Sequence, residues 1–462
     1  MTDTRLHFRL GTAGALAPLA LFLTGVAWLG LSGAPDERGF WPVLLAAIAL
    51  GTVLARDSRA YSEAVVRGMS RPIVMLMVFA WMLAGVLGSL VNAGGFVQSL
   101  VALASAAGVS GGGFVAVAFL ICAMVSTATG TSLGTVILAS PLLYPAAASL
   151  QADPGMLIGA ILAGATFGDN ISPVSDTTIA SASTQQADIG GVVRSRMKYA
   201  VPAGVVALVL YVLLGSAAPN EASVAAPAES YGLRGIWMLA APLASIGMLL
   251  KRRHLVESLL AGIAAGVVVG VVSGSIQARS LLYIDADAFI ARGVILEGME
   301  RGVGVSIFTV LLMGVVSGVE DSGVIDDWVD RLRHRTPSPK RAEWWIFGAI
   351  SSAVVLTTHS VVAILSVGEI TREVGESAGV SAYRRANLLD MTVCTYPFLF
   401  PFFVPVILAA STTASGEAFG LPRIPPLTVG LLNFHSWGLM LMLLVAITTG
   451  FGRSAGEGTI EE

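Results

Sequence analysis

The sequence predicts an all-α polytopic membrane protein with about ten transmembrane helices and two re-entrant hairpins, arranged as inverted repeats with broken helices. Three observations predict this fold class. Of the 462 residues, 55% are hydrophobic and only 12% are charged, and the charges lie in short clusters between long apolar runs. Soluble proteins carry about 25% charged residues, and apolar runs of about 20 residues match the thickness of a bilayer core. The composition therefore excludes a soluble domain.

Net charge and cysteine content exclude further classes. A formal net charge of −3 indicates no nucleic-acid partner. The two cysteines, Cys122 and Cys394, both lie in apolar runs, which excludes a disulfide framework and a paired-cysteine metal site. The N-terminal apolar run continues without a small-residue cleavage site, so we interpret it as the first span rather than as a signal peptide.

Ten apolar runs are long enough to predict transmembrane helices. They lie at residues 10–32, 39–55, 72–92, 155–184, 199–216, 235–250, 255–275, 303–320, 388–411 and 430–449. Two further apolar stretches, 113–150 and 344–370, each have a polar centre that divides them into halves near or below spanning length. We interpret both as re-entrant hairpins with polar tips; a pair of thin spans in each place is the alternative.

Basic residues indicate the orientation, because cytoplasmic loops of membrane proteins carry an excess of arginine and lysine. With ten spans and two hairpins, five basic clusters fall on one side of the membrane together with both termini. These clusters lie within residues 56–71, 194–198, 251–253, 331–341 and 372–385. We therefore expect a multi-pass protein, surrounded by membrane lipid, with both termini in the cytoplasm.

Short similarities between the two halves of the chain indicate an inverted repeat. RGMSRP at 67–72 is similar to EGMERG at 297–302, and AMVSTATG at 123–130 aligns without gaps with AVVLTTHS at 353–360. The first copy starts from the inside and the second from the outside, an arrangement typical of secondary carriers. The predicted divisions are N-terminal scaffold helices (1–64), a first repeat (65–216), linking scaffold helices (217–296), a second repeat (297–449) and a cytoplasmic tail (450–462).

The polar segment GDNISPVSDTT interrupts one apolar run and predicts a broken helix at 155–184. Pro173 has no amide hydrogen, so we expect the carbonyl of Asp169 to lose its helical partner. A carboxylate within a span is costly unless it has a partner, and the oxygens of this segment suit Na⁺. The predicted ion- and proton-binding residues are Asp169, Asp176, Asn170, Ser172, Ser175 and Thr177. In the alternative, one aspartate caps a half-helix, a role that suits Asp176, and the other pairs with a basic residue.

The two hairpin tips offer hydroxyl groups and half-helix ends, which suit a small ion or a carboxylate. The predicted tip residues are Ser126, Thr127, Thr129, Gly130 and Thr131 in the first hairpin, and Thr357, Thr358, His359 and Ser360 in the second. Close helix packing by small residues is the alternative for the first tip, and a satisfied hydrogen-bonding role is the alternative for His359. No second histidine lies at ligand spacing, so we expect no transition metal and no cofactor apart from the transported Na⁺ and H⁺.

A second broken helix is predicted at 388–411, where Pro397, Pro401 and Pro405 follow a polar group. The site residues predicted in it are Asp390, Thr392 and Thr395. Because Asp390 lies near the cytoplasmic end of the run, exposure to water is the alternative to a role in the site.

The segment GATFGDNISPVSDTT closely resembles the signature of the NhaC-type Na⁺/H⁺ antiporter family. The matching positions are Gly168, Asp169, Ser172, Pro173, Ser175, Asp176, Thr177 and Thr178. The tip TATGTSLGT is similar to the first hairpin of the family, and the resemblance extends over about residues 65–410. It implies membership of the larger ion-transporter superfamily, a substrate site in a moving transport domain, commonly a homodimer, and a bacterial or archaeal cell (inner) membrane.

Two departures from the family pattern keep a second function open. The second break lacks the tryptophan and asparagine of the family and is more aromatic, and the second tip has Thr358, His359 and Ser360 where the family more often has Gly-Asp-Gln or Ser-Asn-Gln. The leading hypothesis is a secondary active transporter that exchanges Na⁺ for H⁺ by alternating access. The alternative is a sodium-coupled carrier of an amino acid or organic acid. An enzyme is not expected, because HExxH does not occur and no serine can be paired with His359.

Overall fold

The computed structural model describes residues 5–31, 37–173, 175–217, 234–251, 253–285, 289–324 and 338–453. The helices confirm the all-α polytopic fold class. Within the described ranges, the sheet consists of one antiparallel hairpin, β1 (Tyr283–Asp285) with β2 (Ile290–Arg292). The predicted tail at 450–462 lies outside the described residues beyond Arg453.

The helices are numbered in chain order. In the N-terminal half they are α1 (Thr12–Leu31), α2 (Phe40–Leu54), α3 (Ser58–Met69), α4 (Pro72–Ala93), α5 (Phe96–Ala106), α6 (Gly111–Thr129), α7 (Ser132–Leu143), α8 (Pro154–Ile171), α9 (Asp176–Thr184) and α10 (Ile189–Leu214). After them come α11 (Ala240–Leu250), α12 (Leu255–Val272), α13 (Ala278–Leu281), α14 (Val294–Arg301), α15 (Val303–Glu320), α16 (Pro339–Thr357), α17 (Ser360–Ser377), α18 (Ala382–Val393), α19 (Val404–Thr412), α20 (Pro426–Leu431) and α21 (Phe434–Thr449).

Seven described helical segments are long and apolar enough to cross a membrane. They are Thr12–Leu29, Val74–Ala93, Gly111–Thr129, Pro154–Thr184, Ile189–Leu214, Leu255–Val272 and Val294–Glu320. Two helices predicted as full spans, α2 and α21, have 15 and 16 residues. The first arm of the first hairpin, α6, has 19 residues, which agrees with the predicted arm length near or below that of a span.

Both hairpins return the chain to the face from which it enters. The amide of Gly111, at the start of α6, donates to the carbonyl of Leu150, just beyond α7, at 2.7 Å. In the second hairpin, Glu343 near the start of α16 binds Arg384 of α18, and Glu376 near the end of α17 binds the adjacent arginine of α18. Each hairpin therefore has both of its ends at one face of the molecule.

The two broken helices, α8–α9 and α18–α19, run in opposite directions. Asp153, just before α8, is bonded to Gly215 at the end of α10, whereas Arg384 near the start of α18 donates to Tyr199 in the first half of α10 at 2.6 Å. Beyond α19, the carbonyl of residue 422 accepts a hydrogen bond from Tyr144, at the end of the first hairpin. Because α10 joins the two faces, the repeats are inverted relative to each other. We call the face at the start of α10 the basic face and the opposite one the far face.

The described ends of the chain both lie at the basic face. Arg453 binds Glu343 at the start of α16, and the amide of Leu6 donates to the carbonyl of Asp321, just beyond α15. Helix α15 starts at the far face, where Arg301 lines a cavity with the segment that follows α19, so its end lies at the basic face. Arg67 binds Asp321 there. The predicted cluster members Arg252, Arg331, Arg333 and Arg335 lie outside the described residues.

Glycines hold α14 against α4. Gly298 and Gly302 are spaced as a small-xxx-small motif, and a Cβ on Gly298 would lie 2.5 Å from the Cα of Val86. Such close backbone approach drives helix association in lipid, where the hydrophobic effect between helices is absent. Gly68 of the first repeat packs in the same way on α15, with its Cβ position 2.5 Å from the carbonyl oxygen of Met313. The RGMSRP and EGMERG segments therefore make equivalent helix contacts, α3 with α15 and α14 with α4.

The structural correspondence between the two hairpin tips is shifted by two residues from the gap-free sequence alignment. Helix α6 is followed by Gly130 with φ +68°, and α16 is followed by Thr358 with φ +52°. The next residues, Thr131 and His359, are both extended and precede the second arms. Gly130 therefore corresponds to Thr358 rather than to Ser360. A β-branched residue in the left-handed region is uncommon, so the second tip carries local backbone strain that the first avoids.

We expect Gly298→Ala to destabilise the purified protein by about 1–3 kcal/mol, because the added methyl group must displace the α4 backbone. Thermal unfolding in detergent measures this change. Gly348→Ala in α16 is the matched control, since a Cβ at that glycine meets nothing within 4 Å. Equal unfolding temperatures for the two variants would contradict the close α4–α14 contact.

Candidate functional site

One cavity brings together both hairpin tips, both helix breaks and the helices α4 and α15. Its volume is about 100 Å³, whereas about 10–15 Å³ of such space is enough for one water molecule. Its polar lining consists of Thr131, Ser132, Asp169, Asp176, Thr177, Thr309, Thr358, His359, Ser360 and Cys394. The cavity therefore has room for a partly hydrated cation and offers it carboxylate and hydroxyl oxygens.

The first break separates α8 from α9 around Pro173. The carbonyl of Asp169 lacks its helical i+4 partner, because Pro173 has no amide hydrogen. It is not free, however, since the amide of Ser172 donates to it at 3.2 Å. The neighbouring carbonyl of Asn170 instead accepts a hydrogen bond from Arg196 of α10, at 2.6 Å. The break is thus stabilised from outside its own helix, and its backbone oxygens are already occupied.

Asp169 and Asp176 face the cavity in different ways. Asp169 is 5% exposed, its Oδ1 has no hydrogen-bond partner among the described residues, and the hydroxyls of Ser132 and Ser175 lie beside its carboxylate. Asp176 is exposed and lines the same space. Neither aspartate has an ion-pair partner in the part of the chain that the structure describes. A carboxylate taken out of water is costly without a partner, so a proton or a cation at Asp169 is favourable.

Ser175, not Asp176, precedes α9 as its N-cap residue, and Asp176 is the first residue of the helix. The alternative in which Asp176 caps the half-helix is therefore wrong. A carboxylate in the first helical turn is still favoured by the helix dipole. The Ser175 and Thr177 hydroxyls lie 3.0 Å apart, which places two further oxygens at this end of α9.

The second tip contributes three of its predicted residues to the cavity, namely Thr358, His359 and Ser360. His359 Nδ1 is buried and has no hydrogen-bond partner among the described residues. The alternative in which this histidine is fully satisfied is therefore wrong. Its ring is available to a bound solute that can donate or accept a hydrogen bond.

Several predicted hydroxyl residues lie beside the cavity without lining it, because their hydroxyls bind backbone carbonyls. The donor and acceptor pairs are Ser126 to Ala165, Thr127 to Ala123, Thr129 to Val125, Ser172 to Thr127, Thr357 to His359, Thr392 to Leu388 and Thr395 to Thr392. Gly130 and Asn170 do not line the cavity either. For most of the first tip, close packing is therefore the better description.

Asp390 is completely buried, so the alternative in which it faces water is wrong. Arg196 Nη1 lies 2.5 Å from its Oδ2, and Thr178 donates to the same oxygen at 2.9 Å. Arg196 is itself 0% exposed, although the sequence places it in a basic surface cluster. Helix periodicity was the available signal, because Val192, Arg196, Tyr199 and Ala203 all lie on the buried stripe of α10.

Aromatic and sulfur-containing side chains complete the cavity. Phe398 and Phe403 line it beside Cys394, all from the second break. Ser132 and Thr309 line it as well, and nothing in the sequence distinguishes these two from other hydroxyl residues in apolar helices. The part of the lining that the second break contributes is thus more apolar than a site for a bare cation requires.

Parts of the chain are similar to known antiporters. Residues 16–216 match a family described as "Na+/H+ antiporter family". The chain is 28% identical over 206 residues to the malate-2H(+)/Na(+)-lactate antiporter of Bacillus subtilis (43% of this chain, 41% of that protein). It is 31% identical over 150 residues to the Na(+)/H(+) antiporter NhaC of the same organism (31% and 33%). It is 28% identical over 275 residues to the arginine/ornithine antiporter ArcD of Halobacterium salinarum (54% and 53%). The matches thus span about a third to a half of the relatives' lengths.

The cavity lining can be tested with single cysteines in a background that lacks Cys122 and Cys394. We expect Ser360→Cys to react with a small thiol reagent, because Ser360 is half-buried and lines the cavity. Ser126→Cys is the matched control and should resist labelling, because Ser126 is 0% exposed and lies outside the cavity. Mass spectrometry of the intact protein reports both. Equal labelling of the two positions would contradict the arrangement of the tips.

Proposed function

We propose that this chain, whose residues 16–216 belong to the Na⁺/H⁺ antiporter family, is a secondary active transporter that exchanges Na⁺ for H⁺ by alternating access. One observation carries the proposal. Asp169 and Asp176 line a single cavity between two inverted broken helices, and neither has a counter-ion among the described residues. Inverted repeats with broken helices at the site are typical of secondary carriers.

Exchange follows from competition for the same carboxylates. Removing a carboxylate from water favours its neutral form, so a proton occupies the site when Na⁺ is scarce. Sodium supplies the compensating charge when it enters, and the carboxylate then releases its proton. The hydroxyls of Ser132 and Thr177 offer oxygen ligands next to the carboxylates. A site that is always occupied, either by H⁺ or by Na⁺, couples the two gradients.

Access to the site is supported by two further cavities that follow the same helices towards the far face. A space of about 40 Å³ is lined by Trp81 of α4, Val305 of α15 and Leu408 of α19. It shares Arg301 and Ser411 with a charged vestibule of about 370 Å³ at the far face. The narrow apolar space separates the vestibule from the aspartates. We interpret it as the closed side of an alternating-access cycle.

The location and assembly of the protein are part of the proposal. Its apolar helices make it a multi-pass membrane protein, and the positive-inside rule assigns the basic face to the cytoplasm of a bacterial or archaeal cell. Both termini then lie inside. Transport that uses only Na⁺ and H⁺ needs no cofactor, and assembly as a homodimer remains a prediction.

A sodium-coupled carrier of an amino acid or organic acid is the second candidate. Phe398 and Phe403 give the cavity an aromatic wall, and His359 offers a ring nitrogen that has no hydrogen-bond partner among the described residues. Two of the relatives are named for exchange of organic solutes, malate and lactate in one and arginine and ornithine in the other. In this reading, the aspartates hold Na⁺ and the aromatic wall contacts the organic solute.

Purified protein in liposomes that contain a pH-sensitive dye tests the proposal. We expect added Na⁺ to drive proton movement in the native protein, and Asp169→Asn to abolish it because the amide can neither bind a proton nor neutralise Na⁺. Asp153→Asn is the matched control. Asp153 caps α8 through the amide of Met156, and asparagine caps equally well, so exchange should persist.

Absence of proton movement with Na⁺, Li⁺ and K⁺ would overturn the antiporter proposal. The same liposomes would then be tested for Na⁺-driven uptake of labelled amino acids and carboxylic acids. Uptake that is lost in Asp169→Asn would establish the second candidate.

A further inference from the structure

Arg196 connects the two helix breaks. Its Nη1 donates to the carbonyl of Asn170 at the end of α8, at 2.6 Å, and to the hydroxyl of Thr178 in α9, at 3.0 Å. The same nitrogen lies 2.5 Å from Asp390 Oδ2 in α18. A single guanidinium on α10 therefore touches both halves of the first broken helix and the first half of the second.

The orientation of this guanidinium is held from its other side. Arg196 Nε donates to Asn387 Oδ1 at 3.0 Å, and Asn387 Nδ2 donates to the hydroxyl of Ser195 at 2.7 Å. The planar fork of arginine suits several simultaneous acceptors, which a lysine ammonium on a flexible stem does not match. Both charged partners are 0% exposed, so this is a dry and well-defined ion pair.

Three carboxylates at the breaks lie close enough to one another to interact electrostatically. They are Asp169, Asp176 and Asp390. Among the described residues, only Asp390 has a cationic partner. The arrangement therefore divides the carboxylates into one that is neutralised by the protein and two that are left for the cargo. Their positions differ accordingly, since Asp169 and Asp176 line the cavity and Asp390 does not.

We propose that Arg196 and Asp390 are positioning residues of the ion-binding site. Their pair joins the breaks, and it withholds the third carboxylate from the exchange so that Na⁺ and H⁺ compete at Asp169 and Asp176 alone. This inference rests on the function proposed above. Removing one partner of a buried pair leaves an uncompensated charge, and here that charge stands beside the cation site.

The two single substitutions should therefore shift Na⁺ affinity in opposite directions. Asp390→Asn leaves the Arg196 guanidinium unpaired, and we expect the KM for Na⁺ to rise by about tenfold, which corresponds to about 1.4 kcal/mol of repulsion. Arg196→Gln leaves an additional carboxylate, and we expect the KM to fall while the maximal rate also falls, because Na⁺ leaves more slowly. The double variant has no unpaired charge, so its KM should return to within about threefold of the native value.

The experiment measures Na⁺-dependent proton movement against Na⁺ concentration, with full-length native protein and the three variants in liposomes. Glu343→Gln is the matched control, because it breaks another buried pair with an arginine of α18, Arg384, away from the cavity. We expect it to lower the unfolding temperature without moving the KM for Na⁺. If a single variant does not fold, the double variant and the remaining single variant still give the comparison.

The outcomes separate this inference from the proposed function. No Na⁺-dependent proton movement in the native protein would overturn both. If the native protein exchanges but the KM for Na⁺ is the same in every folded variant, the positioning role alone is overturned. The same holds if Asp390→Asn and the double variant are both inactive at saturating Na⁺, since Asp390 would then be a carrier of the ion.

Discussion

The cost of burying broken backbone and carboxylates inside a membrane governs the architecture of this protein. Two helices are interrupted at the cavity, and irregular backbone at that depth is stable only where protein or a water-filled cavity satisfies it. Arg196 provides this satisfaction for the first break through the carbonyl of Asn170 and the side chain of Thr178. The second break is held by α21, where Asn433 donates to the carbonyl of Phe398 and Ser436 to that of Cys394. Each break is thus stabilised by a residue from outside its own broken helix.

Charge is distributed according to the same cost. Arg384 lies between Glu343 and the hydroxyl of Tyr199 near the basic face, and Arg196 is paired with Asp390 deeper in the protein. In both pairs a buried charge faces an opposite charge, which avoids the large penalty of an isolated charge. Asp169 departs from this pattern, because it is almost as buried and has no ion-pair partner in the described part of the chain. An exception of this kind is expected where a transported ion supplies the missing charge.

The helices that precede the hairpins shape the cavity by close contact rather than by polar chemistry. Glycines of α14 and α3 bring α4 and α15 together, and these two helices form the side of the site that faces the hairpin tips. Further along α4, a Cβ on Gly88 would lie 2.6 Å from Pro141 of α7. Helices α4 and α7 therefore meet along a narrow apolar surface. Open space remains at the aspartates and at the far-face vestibule.

The sequence by itself determined the fold class, the approximate spans, the inverted order of the repeats and the first break. These features depend on local properties, namely the length of apolar runs, the missing amide of Pro173 and the cost of aspartate within a span. Tertiary structure decided the pairing of Arg196 with Asp390, the burial of Asp390 and the occupied carbonyl of Asp169. It also decided which hydroxyls reach the cavity, since Ser132 and Thr309 line it while Ser126 and Thr392 do not. A serine or threonine in an apolar helix can donate its hydroxyl hydrogen to its own backbone or direct the hydroxyl towards a ligand. The two arrangements have nearly the same local free energy. Only the packing of distant segments distinguishes the two, and the same packing places Arg196, a residue of a basic cluster, between the two helix breaks.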